Sequence, residues 1–169
     1  IVIPPSVTAI KWRALSLCSS LTNISIPNSV TLIEQQAFTG CSGLTSVTIP
    51  DGVVDIGNMT FANCSNLLTV IIGEGVTSIG NYAFYGCSSI TNITIPNSVY
   101  FIDGYAFSGC SSLTSFTIPN NVTTIGVRAF ADCSSLTSIT IPDSVTSIGN
   151  YAFEGCSSLT NVSIGKGVT

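Results

Sequence analysis

The stretch "CSSLTSITIPDSVTSIGNYAFEG", residues 133–155, decides the fold because the chain repeats its pattern at one constant spacing. It holds a single cysteine, and the next cysteine in the chain opens the same pattern again. An uninterrupted period of this length is typical of a solenoid, in which each repeat forms one coil. The seven cysteines of the 169-residue chain all lie 23 residues apart: Cys18, Cys41, Cys64, Cys87, Cys110, Cys133 and Cys156.

Other positions are nearly as constant when each repeat is numbered from its cysteine as position 1. Position 13 is always valine, from Val7 to Val168, and position 16 is always isoleucine, from Ile10 to Ile148. Position 21 is Leu15 in the first repeat and phenylalanine in the six repeats that follow. Because one short repeat cannot bury these side chains alone, we expect equivalent residues to stack along a common axis.

The repeats predict one solenoid domain over residues 1–169, without a linker or a second domain. Both ends of the chain stop in the middle of the pattern, and we expect the chain to be a fragment of a longer array, because solenoids ordinarily carry polar capping repeats. The predicted units are a partial unit 1–17, full units 18–40, 41–63, 64–86, 87–109, 110–132 and 133–155, and a partial unit 156–169.

Each repeat contains two extended segments and one turn. In the unit that begins at Cys133, "LTSITIP" alternates apolar and polar residues as a strand does, and Pro142 ends it because proline cannot donate to a β-ladder. "VTSIG" predicts a second short strand, and "NYAFEG" predicts a tight helical or 3₁₀ turn. The expected fold is therefore a β-rich solenoid of parallel strands, with one coil per repeat.

Composition excludes several classes of function. The chain is 45% apolar and only 7% charged, with a net charge of −4 and four basic residues. So few basic residues cannot form the positive surface that nucleic acid requires. No apolar run reaches the roughly 20 residues of a membrane span, so we expect none in this segment.

The cysteines allow three interpretations. A disulfide framework would leave one of seven cysteines unpaired, and side chains that point the same way along a ladder suit a bridge poorly. A zinc site needs ligands that converge, but the chain has no histidine and no closely spaced cysteine pair. We favour a structural row of reduced, buried thiols, since free cysteine is a small and frequently buried residue.

Catalysis and metal binding have little support in the sequence. Without histidine, Ser-His-Asp and Cys-His arrangements cannot form, so we predict that the protein is not an enzyme and has no cofactor. Asp51, Asp55 and Glu74 are the one group of acids that the repeat brings together, either as a weak calcium site or as a solvated corner. Asp143 and Lys166 share a column, and we expect a surface ion pair between them.

Two outward surfaces are candidates for binding. Positions 6 and 8 form a hydroxyl-rich sheet face, on which position 8 includes Thr48, Thr94, Thr117 and Thr140. Such a face can accept a protein or a glycan through many hydrogen bonds. Regular threonine rows are also found on ice-binding surfaces, but serine, asparagine and Ile71 interrupt these rows. The alternative is a solvated face of good strand formers.

The second candidate surface is aromatic. Position 19 contains several tyrosines and an arginine, and two further aromatic residues replace the usual threonine and serine of one second strand. Tyrosine and arginine are enriched at binding hot spots, although these tyrosines can also pack against the next coil. The predicted ligand-binding residues are Tyr82, Tyr100, Phe101, Tyr105, Arg128 and Tyr151.

The consensus L-x-x-I-x-I-P-x-x-V-x-x-I-G-x-x-A-F-x-G-C over 23 residues resembles the BspA-like, or Treponema-type, class of leucine-rich repeat. The resemblance covers the whole chain, with departures in "KWRALSL" (11–17) and "LLTVIIGEG" (67–75). It implies a right-handed solenoid used for surface adhesion and for binding host or matrix proteins. It also implies no catalytic residue, because the signature residues of the family are structural.

The sequence therefore predicts a non-catalytic binding scaffold of the adhesin type, secreted or at the cell surface, with an extracellular protein or glycan as its partner. The alternative is a structural spacer that stacks end to end with further copies. An ice-binding surface is a third and less favoured hypothesis, and nucleic acid is not an expected partner.

Overall fold

Seven stacked coils make up the chain, and the computed structural model describes all 169 residues. Every strand pair is parallel and joins residues one repeat apart, such as Ser138 with Ser115 and with Asn161. This register confirms the predicted parallel solenoid, in which equivalent residues of successive repeats lie over one another. The coils present three outer faces, which we call the first sheet, the second sheet and the turn face.

The first sheet is built from the "LTSITIP"-type segments and is discontinuous. One part pairs β3 with β5, the other has the order β12–β10–β8, and isolated bridges such as Val2–Ser25 join the first coils. Residues 92–95 form no strand, so the sheet is interrupted in the middle of the chain. Its strands are β3 (Ser46–Ile49), β5 (Thr69–Ile72), β8 (Ser115–Thr117), β10 (Ser138–Ile141) and β12 (Asn161–Ile164).

The second sheet contributes a two-residue strand from every coil. A pair, β1–β2, precedes a five-stranded part with the order β11–β9–β7–β6–β4. In each strand the isoleucine of position 16 points to the core, and the preceding residue faces outward. The strands are β1 (Ala9–Ile10), β2 (Leu32–Ile33), β4 (Asp55–Ile56), β6 (Ser78–Ile79), β7 (Phe101–Ile102), β9 (Thr124–Ile125) and β11 (Ser147–Ile148).

The turn face contains no helix, which corrects the expected helical or 3₁₀ turn in "NYAFEG". Positions 19 and 23 have a left-handed backbone in all seven coils, and each left-handed residue breaks the helical path. Alternate N–H groups therefore point along the axis and donate to the following coil. Examples are Tyr82 N to Gly104 O at 3.0 Å and Phe84 N to Ala106 O at 2.8 Å.

One continuous hydrophobic core of 45 buried residues runs through the solenoid. Its centre is a stack of six phenylalanines at position 21, from Phe38 to Phe153, with ring centroids 5.1–5.5 Å apart. Phe116, at position 7, packs its edge against Phe107 and Phe130. The spacing of the rings is close to that of neighbouring strands, so the sheets and the aromatic stack have the same repeat.

The thiols form a row beside the phenylalanine stack. From the second coil onward, each Sγ donates to the position-21 carbonyl of the preceding coil, as Cys87 does to Phe61 O at 3.1 Å. All seven cysteines are free; five are buried, whereas Cys18 and Cys156 are half-buried. Burial raises the pKa of Cys64 and of Cys133 to about 12, because the thiolate would lose its hydration.

Candidate functional site

One column of the turn face holds residues that seldom adopt the left-handed backbone conformation found there. A left-handed backbone costs a residue with a side chain about 1–2 kcal/mol, and glycine, asparagine or aspartate usually supplies it. Position 23 follows this rule in six of seven coils, with Leu17 as the exception. Position 19 never does: its residues, with φ of 53–61°, are Arg13, Gln36, Met59, Tyr82, Tyr105, Arg128 and Tyr151.

The left-handed backbone projects these side chains outward, where neighbouring coils bring them into contact. The rings of Tyr82 and Tyr105 stack with centroids 4.5 Å apart and planes 8° from parallel. Tyr85 meets Tyr82 edge-on at 5.6 Å, and the Arg128 guanidinium lies 5.1 Å from the ring centroid of Tyr151. We call these five residues, Tyr82, Tyr85, Tyr105, Arg128 and Tyr151, the aromatic ridge.

The ridge contains one residue that the sequence analysis missed. Tyr85 occupies position 22, which carries no other aromatic residue in the chain, and it is 38% exposed. Its spacing of three residues from Tyr82 was the available signal, but only the observed turn places the two rings together. Glu154 lies beside the ridge and holds Arg128 in an ion pair at 2.9 Å.

Tyr100 and Phe101, predicted to bind with the position-19 residues, lie on the second sheet. Their side chains are 45% and 48% exposed, and neither ring stacks on a ridge residue. Phe101 pairs with Ser78 on one side and Thr124 on the other, so no aromatic neighbour extends it along the sheet. The structure therefore separates the six predicted residues into the ridge and this isolated pair.

The predicted hydroxyl face lies on the first sheet. Thr48, Thr94, Thr117 and Thr140 are exposed, and none of their hydroxyls donates within the protein. Four threonines at position 5 behave differently, since Thr45, Thr114, Thr137 and Thr160 each donate to the coil before, as Thr137 does to Thr114 O at 3.3 Å. The hydroxyls of position 8 are therefore available to solvent or to a ligand, and Ile71 interrupts their row.

The acidic residues considered as a calcium site make separate hydrogen bonds within the solenoid. Asp51 Oδ1 accepts the Glu74 N–H at 3.0 Å, and Asp55 Oδ1 accepts the Ser78 hydroxyl at 2.6 Å. No three acidic, cysteine or histidine side chains come together in a group that could hold a metal ion. The arrangement supports a hydrogen-bonded corner, and nothing further is proposed for calcium.

The expected ion pair between Asp143 and Lys166 is replaced by a different contact. The backbone N–H of Lys166 donates to Asp143 Oδ1 at 2.7 Å, as the N–H of Glu74 does to Asp51. The side-chain ion pairs are instead Arg128–Glu154 and Lys11–Glu34, the latter at 3.0 Å. The hydrogen bond from Lys11 is the main cause that lowers the pKa of Glu34.

Asp103 is the one acid whose surroundings oppose its charge. It occupies position 17, where glycine is the usual residue of the central coils, and partial burial raises its pKa above the ordinary 3.8. No hydrogen bond or ion pair to its carboxylate offsets the lost hydration.

The structure also contains no helix long and apolar enough to cross a lipid bilayer.

Fold and surface together define a repeat scaffold, with a packed interior and three extended outer faces. The chain belongs to the BspA-type leucine-rich repeat family, whose repeat model matches it in six copies over residues 1–111 and 77–169. The resemblance seen in the consensus is thereby confirmed. Members of such families are repeat scaffolds and are generally non-catalytic.

Solved structures of bacterial leucine-rich repeat proteins are similar to the chain. One from Bacteroides ovatus is 34% identical, with a TM-score of 0.94 over 99% of this chain and 46% of that one. A leucine-rich cell surface protein from Faecalibacterium prausnitzii is 34% identical, with a TM-score of 0.68 over 98% and 54%. A leucine-rich repeat protein from T. pallidum is 30% identical, with a TM-score of 0.70 over 76% and 61%.

The chain thus spans about half the length of the first two solved relatives, at 46% and 54% of their chains. No match is found among curated proteins.

Proposed function

We propose that this chain is a binding segment of an adhesin-type protein, secreted or at the cell surface, and that its aromatic ridge contacts an extracellular protein. Family membership supports a scaffold role, and one relative of 34% identity is described as a cell surface protein. The ridge supports a specific contact surface on that scaffold.

The observation that carries this proposal is the set of large residues in left-handed backbone at position 19. Glycine there would remove a steric cost of about 1–2 kcal/mol per coil. The neighbouring left-handed position 23 uses glycine in four coils, so glycine is accessible to this turn. Side chains retained against a steric cost are typical of functional surfaces.

The geometry of the ridge favours a protein over a glycan. Sugars bind aromatic side chains through the ring faces, but the facing surfaces of Tyr82 and Tyr105 cover each other at 4.5 Å. The Tyr82 and Tyr105 side chains are half-buried and that of Arg128 is 39% exposed, so all three remain accessible to a partner. Tyrosine and arginine held in place by neighbours lose little side-chain entropy on binding, which suits them to protein hot spots.

A binding screen tests this proposal. Immobilised matrix proteins and glycans are probed with the wild-type chain and with the double variant Tyr82→Asn/Tyr105→Asn. Asparagine tolerates the left-handed backbone, so the turn is retained. We expect at least one protein ligand, whose binding weakens by about tenfold or more in the double variant, as expected for hot-spot residues.

The matched control is the double variant Tyr100→Thr/Phe101→Ser. It removes two exposed aromatic side chains from the second sheet and replaces them with residues common in those columns. We expect binding to be unchanged in this variant. Equal binding by the wild type and the ridge variant, or binding of glycans alone, would contradict the proposal.

A further inference from the structure

The first sheet opens at one place in the middle of the solenoid. Residues 92–95 make no backbone hydrogen bond to either neighbouring coil, although Ile93 and Ile95 remain buried. On the second sheet the same coils stay paired, with Ser78 opposite Phe101. Residues 92–95 are therefore unpaired with both neighbouring coils on the first sheet, while the second sheet stays paired on both sides.

The corner after β5 lies beside this unpaired segment. Position 10 is Gly73 instead of proline, and a Cβ there would lie 2.6 Å from the backbone N of Asp51. The next residue, Glu74, donates its N–H to the Asp51 carboxylate at 3.0 Å. The corner therefore lies closer to the preceding coil than a side chain would permit.

The same combination occurs a second time. Gly165 replaces proline, its Cβ would lie 2.6 Å from Asp143 N, and Lys166 donates its N–H to the Asp143 carboxylate at 2.7 Å. In both cases an aspartate of one coil accepts from the middle residue of a Gly-x-Gly corner in the next coil. The contact is thus a recurring feature of the sequence rather than an isolated irregularity.

Beside the first of these corners lies a cleft of about 280 Å³. Ile71 forms one wall and is 57% exposed, in a column whose other residues from Ser25 to Ser163 are serine or threonine. The carboxylate of Glu74 is exposed and takes part in neither of the two ion pairs of the protein. The lining residues are Val70, Ile71, Ile72, Glu74, Thr94 and Pro96.

We propose that this cleft receives a lysine or arginine side chain of a partner protein. An apolar wall beside one free carboxylate matches a side chain with a methylene stem and a cationic head. The stem would contact Ile71 and Pro96, and the head would pair with Glu74. The net charge of −4 favours approach of a basic partner, and the site is separate from the aromatic ridge, so each proposal can fail alone.

A titration followed by NMR tests the cleft with a defined probe, Nα-acetyl-lysine methylamide. We expect saturable amide shifts confined to residues 70–74 and 94–96. The norleucine analogue, which keeps the stem and lacks the charge, should bind about two- to fivefold more weakly, in line with an exposed ion pair. Glu74→Gln should weaken lysine binding by the same factor and remove the preference over norleucine.

Two further variants complete the test. Ile71→Thr restores the residue common in its column and should weaken binding of both probes, because the stem loses its apolar wall. Asp132→Asn removes a distant exposed carboxylate and should change nothing, which controls for the altered net charge. Shifts outside the cleft, equal binding of the two probes, or unchanged binding in Glu74→Gln would overturn the proposal.

Discussion

Some residues of the repeat pack in the hydrophobic core, whereas others lie outside it. The backbone carbonyl of the position-21 phenylalanine accepts hydrogen bonds from two cysteines at position 1. Phe61 O, for example, accepts the backbone N–H of Cys64 and the thiol of Cys87. The cysteine thus satisfies a buried acceptor while filling a small apolar space. This role requires neither a disulfide partner nor a metal, which explains a lone cysteine in each repeat.

Asp103 allows a prediction at the scale of one residue. Burial raises its pKa in the folded state, so the folded protein binds this proton more tightly than the unfolded chain does. The resulting stability is complete below the ordinary pKa of 3.8 and is lost as the pH rises through the folded-state pKa. Asp103→Asn should therefore raise the melting temperature at neutral pH.

The pH dependence supplies the control for this prediction. Under acidic conditions well below pH 3.8, both forms are neutral at this position, and the difference in melting temperature should disappear. Thermal unfolding followed by circular dichroism across this range measures both effects. A difference of the same size at every pH would show that burial of the charge is not the cause.

At the scale of elements, the turn is the least ordinary part of the coil. Its N–H groups pair with the next coil without forming a strand, since the left-handed positions 19 and 23 redirect alternate groups along the axis. The turn therefore adds a third hydrogen-bonded face to the two sheets. It also exposes one side chain per coil in a fixed direction, and these side chains form the ridge.

Gln36→Gly tests whether position 19 is occupied at a cost in stability. Gln36 has a φ of 61°, and its amide makes only a weak 3.9 Å contact to the sulfur of Met59. Glycine removes the left-handed strain and loses some backbone entropy, so the free energy of unfolding should rise by about 0.5–1 kcal/mol. Urea denaturation measures the change, and Gln36→Ala, which keeps the strain, should give no gain.

An unchanged or lower stability of the glycine variant would mean that the large side chains stabilise the turn. The ridge side chains would then be retained for stability rather than for binding, whatever the ligand screen shows.

At the scale of the whole molecule, each coil is stabilised mainly by its two neighbours. The phenylalanine stack, the thiol contacts and the three backbone ladders all join residues about one repeat apart, so burial in the centre depends on coils on both sides. The burial of the cysteines shows this dependence on both neighbours. Cys110 is buried, which raises its pKa well above 9.0, whereas Cys18 in the first coil is only half-buried.

Thiol labelling tests this organisation. With a thiol reagent at neutral pH, Cys18 and Cys156 should react first, since both are half-buried, and the five buried cysteines should stay protected in the native protein. As urea is added, those five should become reactive together with the loss of circular dichroism, because coil separation exposes them. Mass spectrometry after digestion identifies the labelled sites. Rapid labelling of Cys87 or Cys110 in the native protein would contradict the observed burial.

The thiols also affect stability at high pH. The pKa of Cys64 and of Cys133 is raised in the folded protein, so the contribution of these two thiols is complete below the ordinary value of 9.0 and falls as the pH rises toward about 12.

The solenoid, its register of one repeat and the apolar columns of the core can all be predicted from the amino-acid sequence. A constant period with invariant apolar positions can be buried only when equivalent residues stack, so the pattern leaves little choice of fold. The predicted hydroxyl row and the position-19 column also follow from the period. These features depend on the repeat, which the sequence displays directly.

The departures of the coils from regularity are visible only in the three-dimensional contacts between them. The left-handed turn, the joining of Tyr85 to Tyr82, the separation of Phe101 from the ridge, and the opening beside Glu74 all depend on contacts between coils. A column records which residue occupies a position, but not the displacement of one coil relative to the next. That displacement is set by backbone sterics and packing, as the closeness of Gly73 to Asp51 shows.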